Sequence, residues 1–433
     1  MSAFVCRMAV DGAPLPADAG SALAARLSPI SGAVRGTVTG PFAAAAAPHP
    51  HRPLLARLGP LAAAGDVRLD NRDEVADWAA GAAHEAGDLA LVLAAVAARG
   101  AGVLDGLLGD FALVVWDGER GEMTAARDPF GVKPLFVARE GGDILLASSL
   151  DALAAGREVD EEFVADFLAG GSAHGGRTVW SGCRAVLPGE ALRCTGGTVS
   201  SRRTWSPWSV TPAERVDERE AVERFRDLFL EGVRLRADGG GGGVWAQLSG
   251  GMDSSSVVCA AHHLGSRGRL PRGLDGTVTM VDTLGDGDER RWSDAVLQHC
   301  GVANETLVDR WAWQDDGAPP LRTGEPRSHY PFWARDRAMA GLLRARGATV
   351  LLSGQGSDHY LAGNWSYVTD LFSRGRVGEG VRELTGLSVA ARQSFWTGLG
   401  RLGVQPFLPA ALRRRTALRH DALPEWIDPA FVR

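Results

Sequence analysis

Lysine is nearly missing from this chain. Of its 46 basic residues only Lys133 is a lysine, and arginine carries the remaining positive charge. A Walker-type phosphate loop, which needs a lysine directly after its glycines, is therefore excluded. Cysteine is scarce too: Cys6, Cys183, Cys194, Cys259 and Cys300 are scattered, odd in number and without the spacing of a metal site. They read as reduced thiols of a cytoplasmic protein rather than as a disulfide framework. No apolar run is long enough to span a membrane, and the first residues lack the basic, apolar, small-residue order of a secretory signal. A net charge of −6 offers nothing to nucleic acid or to an anionic membrane surface. What remains is 433 residues of ordinary globular composition, 45% hydrophobic and 23% charged. That is too long for one core and long enough for two.

The most informative stretch is Leu248-Ser249-Gly250-Gly251-Met252-Asp253-Ser254-Ser255, which follows the apolar run Val244 to Leu248 and precedes the helix-like Ser256 to His263. Strand, glycine turn and helix start together make an anion site. The glycines let backbone approach a ligand, helix-start N–H groups point at it, and Ser249, Ser254 and Ser255 add hydroxyls. A carboxylate beside bare phosphate is out of place, so Asp253 calls for a Mg²⁺ ion between itself and the phosphates. A plain Gly-Ser turn at a strand end is the competing explanation. The stretch resembles the SGGxDS pyrophosphate loop of the ATP pyrophosphatases.

A second loop follows the apolar run Thr349 to Leu352: Ser353-Gly354-Gln355-Gly356-Ser357-Asp358 again sets glycines around a carboxylate. If neighbouring strands bring the loops together, Asp253 and Asp358 share the magnesium over the phosphates of ATP. Other apolar runs at Thr277 to Val281 and Glu305 to Val308 alternate with helical patterns at Arg290 to His299 and Phe332 to Arg346. Alternation of this kind gives a parallel, doubly wound sheet with its ligand beyond the carboxyl ends of the strands. The two loops in this order resemble those of the asparagine synthetase family. The run from Tyr360 to Arg376 and that from Phe407 to Arg433 are closest in pattern to bacterial lasso peptide macrolactam cyclases. The resemblance implies that Leu248, Ser249, Gly250, Gly251, Asp253, Ser254, Ser255, Val281, Ser353, Gly354 and Gly356 bind ATP and its pyrophosphate. It further implies that Asp253, Asp358 and Gln355 act in catalysis, and that Glu289, Glu325 and Tyr360 face substrate. For Glu289 and Glu325, a helix-start charge and a turn explain the residues equally well.

Upstream, the chain to about Gly65 is rich in alanine, glycine and proline, and Ala43 to Ala47 with the His-Pro cluster at 48–53 reads as irregular. Leu89 to Ala98 reads as a buried helix, Leu107 to Asp117 as a turn entering a strand, and Glu122 to Ser149 as a hairpin. These segments resemble the N-terminal glutamine amidotransferase domain of the family, an Ntn-type αββα sandwich. In that family the nucleophile is a cysteine directly after the initiator methionine. Here that position holds Ser2, and Cys6 would be unmasked only by cleavage. Asp70-Asn71-Arg72 stands where the family's Asn-Gly-Glu glutamine clamp is expected. Both departures describe a domain, residues 1–205, that has lost glutaminase chemistry.

A linker at 206–216 then leads to the synthetase-like domain at 217–433, opened by an amphipathic helix with Val222, Phe225, Phe229 and Val233 on one face. Family members carry a late lysine that stabilises the transition state. None follows Lys133, so the domain reads as incomplete at its C-terminus and as a poor former of amide bonds at this length. The function implied is ATP-dependent amide formation by adenylation of a carboxylate, with Mg²⁺ as cofactor. Peptide macrolactam cyclisation leads, with a precursor peptide and its processing protease as partners. Asparagine synthesis, β-lactam synthesis and a silent binding or scaffold subunit are the alternatives.

Overall fold

The computed structural model describes residues 3–31, 34–49, 52–79, 87–168, 175–209, 217–237, 242–270, 272–281, 283, 289–308, 324–326, 332–361, 364–409 and 412. Ser2, Asp288, the linker residues 210–216 and the C-terminal residues 413–433 lie outside the described residues.

The first domain runs β1 (Phe4–Met8), α1 (Ala19–Ser31), β2 (Arg35–Thr39), β3 (Phe42–Ala46), β4 (Leu55–Leu58), β5 (Leu61–Leu69), α2 (Arg72–Trp78), α3 (Asp88–Arg99), β6 (Gly109–Asp117) and β7 (Glu122–Arg127). It continues with β8 (Phe136–Glu140), β9 (Asp143–Ala147), α4 (Glu161–Leu168), β10 (Cys183–Ala185), β11 (Glu190–Thr195) and β12 (Thr198–Arg203). The strands form two six-stranded sheets, β10-β8-β9-β1-β3-β2 and β12-β11-β7-β6-β5-β4. Alternation along β1 shows how they stack. Phe4, Cys6 and Met8 meet Ala62, Val114, Trp116 and Leu192 of the other sheet, while Ala3, Val5 and Ala9 pack with Leu23 and Leu27 of α1. The outer face of the second sheet is covered by α2 and α3 through Val75, Leu91, Val92 and Val96. The result is the expected αββα sandwich.

Two sequence expectations fail here. The Ala43 to Ala47 stretch is not irregular: β3 lies inside its sheet between β1 and β2, with every residue buried. Alanine has weak strand preference, but its small side chain fits a strand pressed between a helix and a second sheet, and this packing overrides propensity. The hairpin expected over 122–149 also divides. β7 pairs with β6 and β11 in one sheet, whereas β8 and β9 pair with each other in the other sheet. The chain crosses between sheets at Asp128, whose buried carboxylate accepts the N–H groups of Phe130, Val132 and Lys133 at 3.1, 2.9 and 3.0 Å. A carboxylate fully supplied with donors can be buried, and it fixes the turn.

The second domain runs α5 (Glu218–Arg236), β13 (Gly243–Gln247), α6 (Met252–Ser266), β14 (Gly276–Val281), α7 (Arg290–Cys300), β15 (Asn304–Val308), α8 (Trp333–Ala345), β16 (Ala348–Leu352), α9 (Ser357–Tyr360), α10 (Ser366–Ser373) and α11 (Val377–Ala390). Its sheet is parallel throughout, in the order β15-β14-β13-β16. The chain builds outward on one side of β13 and then returns to its other side, so the order reverses between β13 and β16. That reversal falls at the carboxyl edge, the place where ligands of such sheets bind. The expected apolar face of α5 is only half covered. Val233 is buried against Val258, Ala261 and Ala246, whereas Val222 and Phe225 are exposed.

Candidate active site

The last strand-like residue after β13, Leu248, is buried and donates its N–H to Val278 O at 2.9 Å. This bond ends the ladder and releases the chain beyond the carboxyl edge. Gly250 then takes φ +94, and a Cβ there would stand 2.6 Å from Glu289 O and 3.1 Å from Ser293 N. Only glycine fits, because the first turn of α7 is laid over the loop. Gly251 caps α6 in extended conformation with no side-chain cap, so the first N–H groups of the helix take no partner from the capping residue.

The serines divide in role. Ser254 is buried; its Oγ accepts the Ser249 N–H at 3.1 Å, lies 3.0 Å from Ser249 Oγ, and donates to Gly251 O at 3.4 Å. It organises the loop rather than facing outward as a free donor. Ser249 is exposed and accepts the Gly251 N–H at 3.3 Å. Among the described residues Ser255 Oγ is buried without a partner, so with exposed Ser249 it is a hydroxyl that a ligand can engage.

The second loop meets the first. Parallel pairing sets Val244 against Val350 and Ala246 against Leu352, so both loops leave the same edge side by side. A Cβ on Gly354 would lie 2.6 Å from Ser254 N and 2.8 Å from Asp253 Cβ, so the two backbones touch. Gly356 takes φ +98 to start α9, and Ser357 Oγ donates to Gly354 O at 3.0 Å. Asp253 and Asp358 thus stand in the first turns of α6 and α9, on loops in contact. Ser353 and Gln355 are exposed on the same loop. Val281 is buried at the carboxyl end of β14, paired with Val308.

The remaining candidates fall differently. Exposed Glu289 stands at the start of α7, its Oε2 3.9 Å from a Cβ placed on Gly251, so it belongs to the phosphate loop's surroundings. Glu325 sits in a segment laid on the first domain: a Cβ on Gly324 would lie 2.5 Å from Asp151 Oδ1, and the Glu325 charge acts on Arg127. Tyr360 closes α9, and its side chain lies outside what is described.

In the first domain Cys6 is fully buried between the sheets, in register with Ala44 and Leu146, and burial drives its thiol far above the ordinary range. The three residues expected in place of a glutamine clamp are engaged in structural contacts. Asp70 is held by Arg68 and Arg236, Asn71 bonds Leu108 N–H and Gly106 O, and Arg72 pairs with Asp88 at 3.1 Å. A cluster around buried Asp66 escaped the sequence reading: half-buried Lys133 Nζ lies 2.8 Å and Arg52 Nη1 3.4 Å from its carboxylate. The solitary lysine was its only signal.

Comparison with known proteins gives two family matches, a glutamine amidotransferase domain over residues 72–205 and an asparagine synthase over residues 224–428. The amidase chyE of Penicillium rubens is 27% identical over 311 residues, covering 66% of this chain and 44% of that protein. Glutamine-hydrolyzing asparagine synthetase 3 of Bacillus subtilis is 33% identical over 176 residues, covering 39% of this chain and 28% of that protein. The chain therefore spans less than half the length of these curated relatives. A solved glutamine phosphoribosylpyrophosphate amidotransferase of B. subtilis covers 82% of this chain and 90% of its own at 16% identity, with a TM-score of 0.34.

Proposed function

The chain belongs to the asparagine synthetase family, and we propose that it joins a carboxylate to an amine through an acyl-adenylate made from ATP. The observation that carries this reading is the contact of Gly354 with Asp253 and Ser254, which sets two glycine-carboxylate loops side by side at the sheet's reversal point. Backbone N–H groups at the start of α6, with the hydroxyls of Ser249 and Ser255, hold the phosphates. Glycines at 250 and 354 let α7 and the second loop close onto the first loop, where a side chain would hold them apart. Asp253 and Asp358 suit a hard divalent cation and would hold Mg²⁺, which when bound offsets the negative charge of the departing pyrophosphate. A substrate carboxylate oxygen attacks the α-phosphate and pyrophosphate leaves; the amine then attacks the acyl carbon, AMP leaves with the bonding pair, and the amine sheds a proton. Gln355, a neutral amide, orients substrate rather than taking that proton.

The finer reading is that the amine is the substrate's own, as in closing a peptide macrolactam. Ammonia released from glutamine needs an exposed thiolate, and Cys6 is buried and protonated. The amidotransferase match also begins at residue 72, beyond Ser2, Cys6 and Asp70. Pyrophosphate–ATP exchange in the presence of candidate peptides tests the proposal. Peptide-dependent exchange that is lost in Asp253→Asn is the expected result. Tight ATP binding with no exchange for any carboxylate would instead mark a silent binding subunit.

A further inference from the structure

We infer that Arg236 is a positioning residue for the nucleotide site, latching the helix that leads into β13 onto the Asp70–Asp110 edge of the first domain. Helix α5 is exposed along its first three turns and packs on the protein through its C-terminal half, with Val233 and Ala237 buried and Phe229 and Leu230 partly so. There Arg236 Nη1 donates to both carboxylate oxygens of Asp70 at 2.7 Å, and its Nη2 lies 3.5 Å from Asp110 Oδ1. Arg68 closes the ring from the other side, with Nε 2.8 Å from Asp110 Oδ2 and Nη1 2.7 Å from Asp70 Oδ1. The same Nη1 reaches Leu235 O at 3.5 Å, one of the terminal carbonyls that α5 cannot satisfy internally.

Two cations and two anions thus alternate across the domain boundary, and each carboxylate meets both guanidinium groups. Burial works to raise the Asp70 carboxyl, yet hydrogen bonds from Arg68 and Arg236 carry it below the ordinary carboxylate range. The latch is continuous with the site. Val233 and Ala237 pack with Val244 and Ala246 of β13 and with Val257, Val258 and Ala261 of α6, the strand and helix that flank the phosphate loop. The boundary is met elsewhere too, where a Cβ on Gly324 would lie 2.5 Å from Asp151 Oδ1. The inferred role gives the first domain a use that needs no glutamine: it holds the loop's supports in place. It rests on the reading of residues 248–255 as an ATP site.

Calorimetric titration of the full chain with Mg²⁺-ATP tests the latch, alongside scanning calorimetry. Variants are Arg236→Ala, Arg236→Lys, Asp70→Ala and the double substitution. Arg236→Ala should weaken ATP binding by about two- to thirtyfold with unchanged helix content. The double variant should lose less than the sum of the two single losses, because the Arg236–Asp70 bond is common to both. Arg236→Lys should recover part of the loss, since an ammonium supplies charge without the two-oxygen fork. A residue that served only local stability would lower the melting temperature and leave ATP affinity alone. Affinity within about twofold of the parent in Arg236→Ala overturns the inference, whatever the melting behaviour. If the parent itself binds no ATP, the active-site reading falls instead. The latch is then decided by scanning calorimetry: one endotherm for the parent that splits in two in Arg236→Ala is expected, and an unsplit endotherm in Arg236→Ala overturns it.

Discussion

Gly354 rests against Ser254 so closely that a methyl group cannot be placed between them: a Cβ on Gly354 would come within 2.6 Å of the Ser254 amide nitrogen. The pair joins the two loops of the proposed nucleotide site. Gly354→Ala should force the loops apart, costing about 1–3 kcal/mol of overpacking and weakening ATP binding by roughly five- to a hundredfold. Gly386→Ala in α11, where a Cβ meets nothing within 4 Å, serves as the control. It should stabilise the chain by about 0.5–1 kcal/mol and leave ATP binding unchanged. Titration calorimetry and thermal melting of both variants check the contrast.

Asp253→Asn and Asp358→Asn keep the shape of each loop and remove its charge. Each should lower pyrophosphate exchange by about 10²- to 10³-fold, the loss typical when one stabilising group at a reacting centre is removed. Exchange measured across a magnesium series should show a raised requirement for the metal. A variant that exchanges at the parental rate would remove its aspartate from the proposed pair.

Glutamine should not be hydrolysed. Cys6 is closed between two sheets, so glutamate release should stay at background, and Cys6→Ala should leave both that background and ATP binding unchanged. Cys6→Ser should lower stability by about 1–3 kcal/mol, because a hydroxyl buried in that apolar layer finds no partner. Glutamate release that disappears in Cys6→Ala would reverse the assignment.

Stability should fall in alkali. Burial raises the thiols of Cys6 and Cys194, the latter to about 11, with Arg139 working against burial and Glu122 adding to it. Unfolded thiols lose their proton near pH 8.5 while these two keep theirs, so the unfolded state binds fewer protons and is favoured as pH rises. The contribution is complete below the unfolded pKa and declines by up to about 1.4 kcal/mol per pH unit for each thiol above it. Melting curves between pH 7 and pH 10 should show the decline, and Cys194→Ala should flatten it.

The two adjoining loops of the proposed nucleotide site were legible because their signal is local. Apolar residues ending in glycine, then a carboxylate, then a helix pattern fall within eight consecutive residues around Asp253 and recur around Asp358. The sheet direction followed from strand and helix alternating. The alanine strand β3 was not legible, since nothing in Phe42 to Ala46 distinguishes a tightly sandwiched strand from a flexible linker until its neighbours are placed. Nor was the bond from Arg236 to Asp70, whose partners are 166 residues apart and belong to different domains. Among many arginines no single one announces such a partner. Glu325 shows the same limit, because a family-like segment found its contacts on the first domain.

The order in which the chain fills the parallel sheet also governs how the protein is made. β13, β14 and β15 emerge from the ribosome in turn and pair outward on one side, leaving the other edge of β13 bare until β16 arrives. Through that stretch of synthesis the nascent chain carries an unpaired edge, the kind of template on which strands of other chains assemble. Nucleotide at the proposed site cannot stabilise the chain during that interval, since the loop bearing Asp358 follows β16 in the chain. Pairing between segments so distant in sequence closes slowly. Cellular yield should therefore be limited by the interval before β16 docks, and slower translation of residues 282–347 should increase aggregation without altering the finished protein.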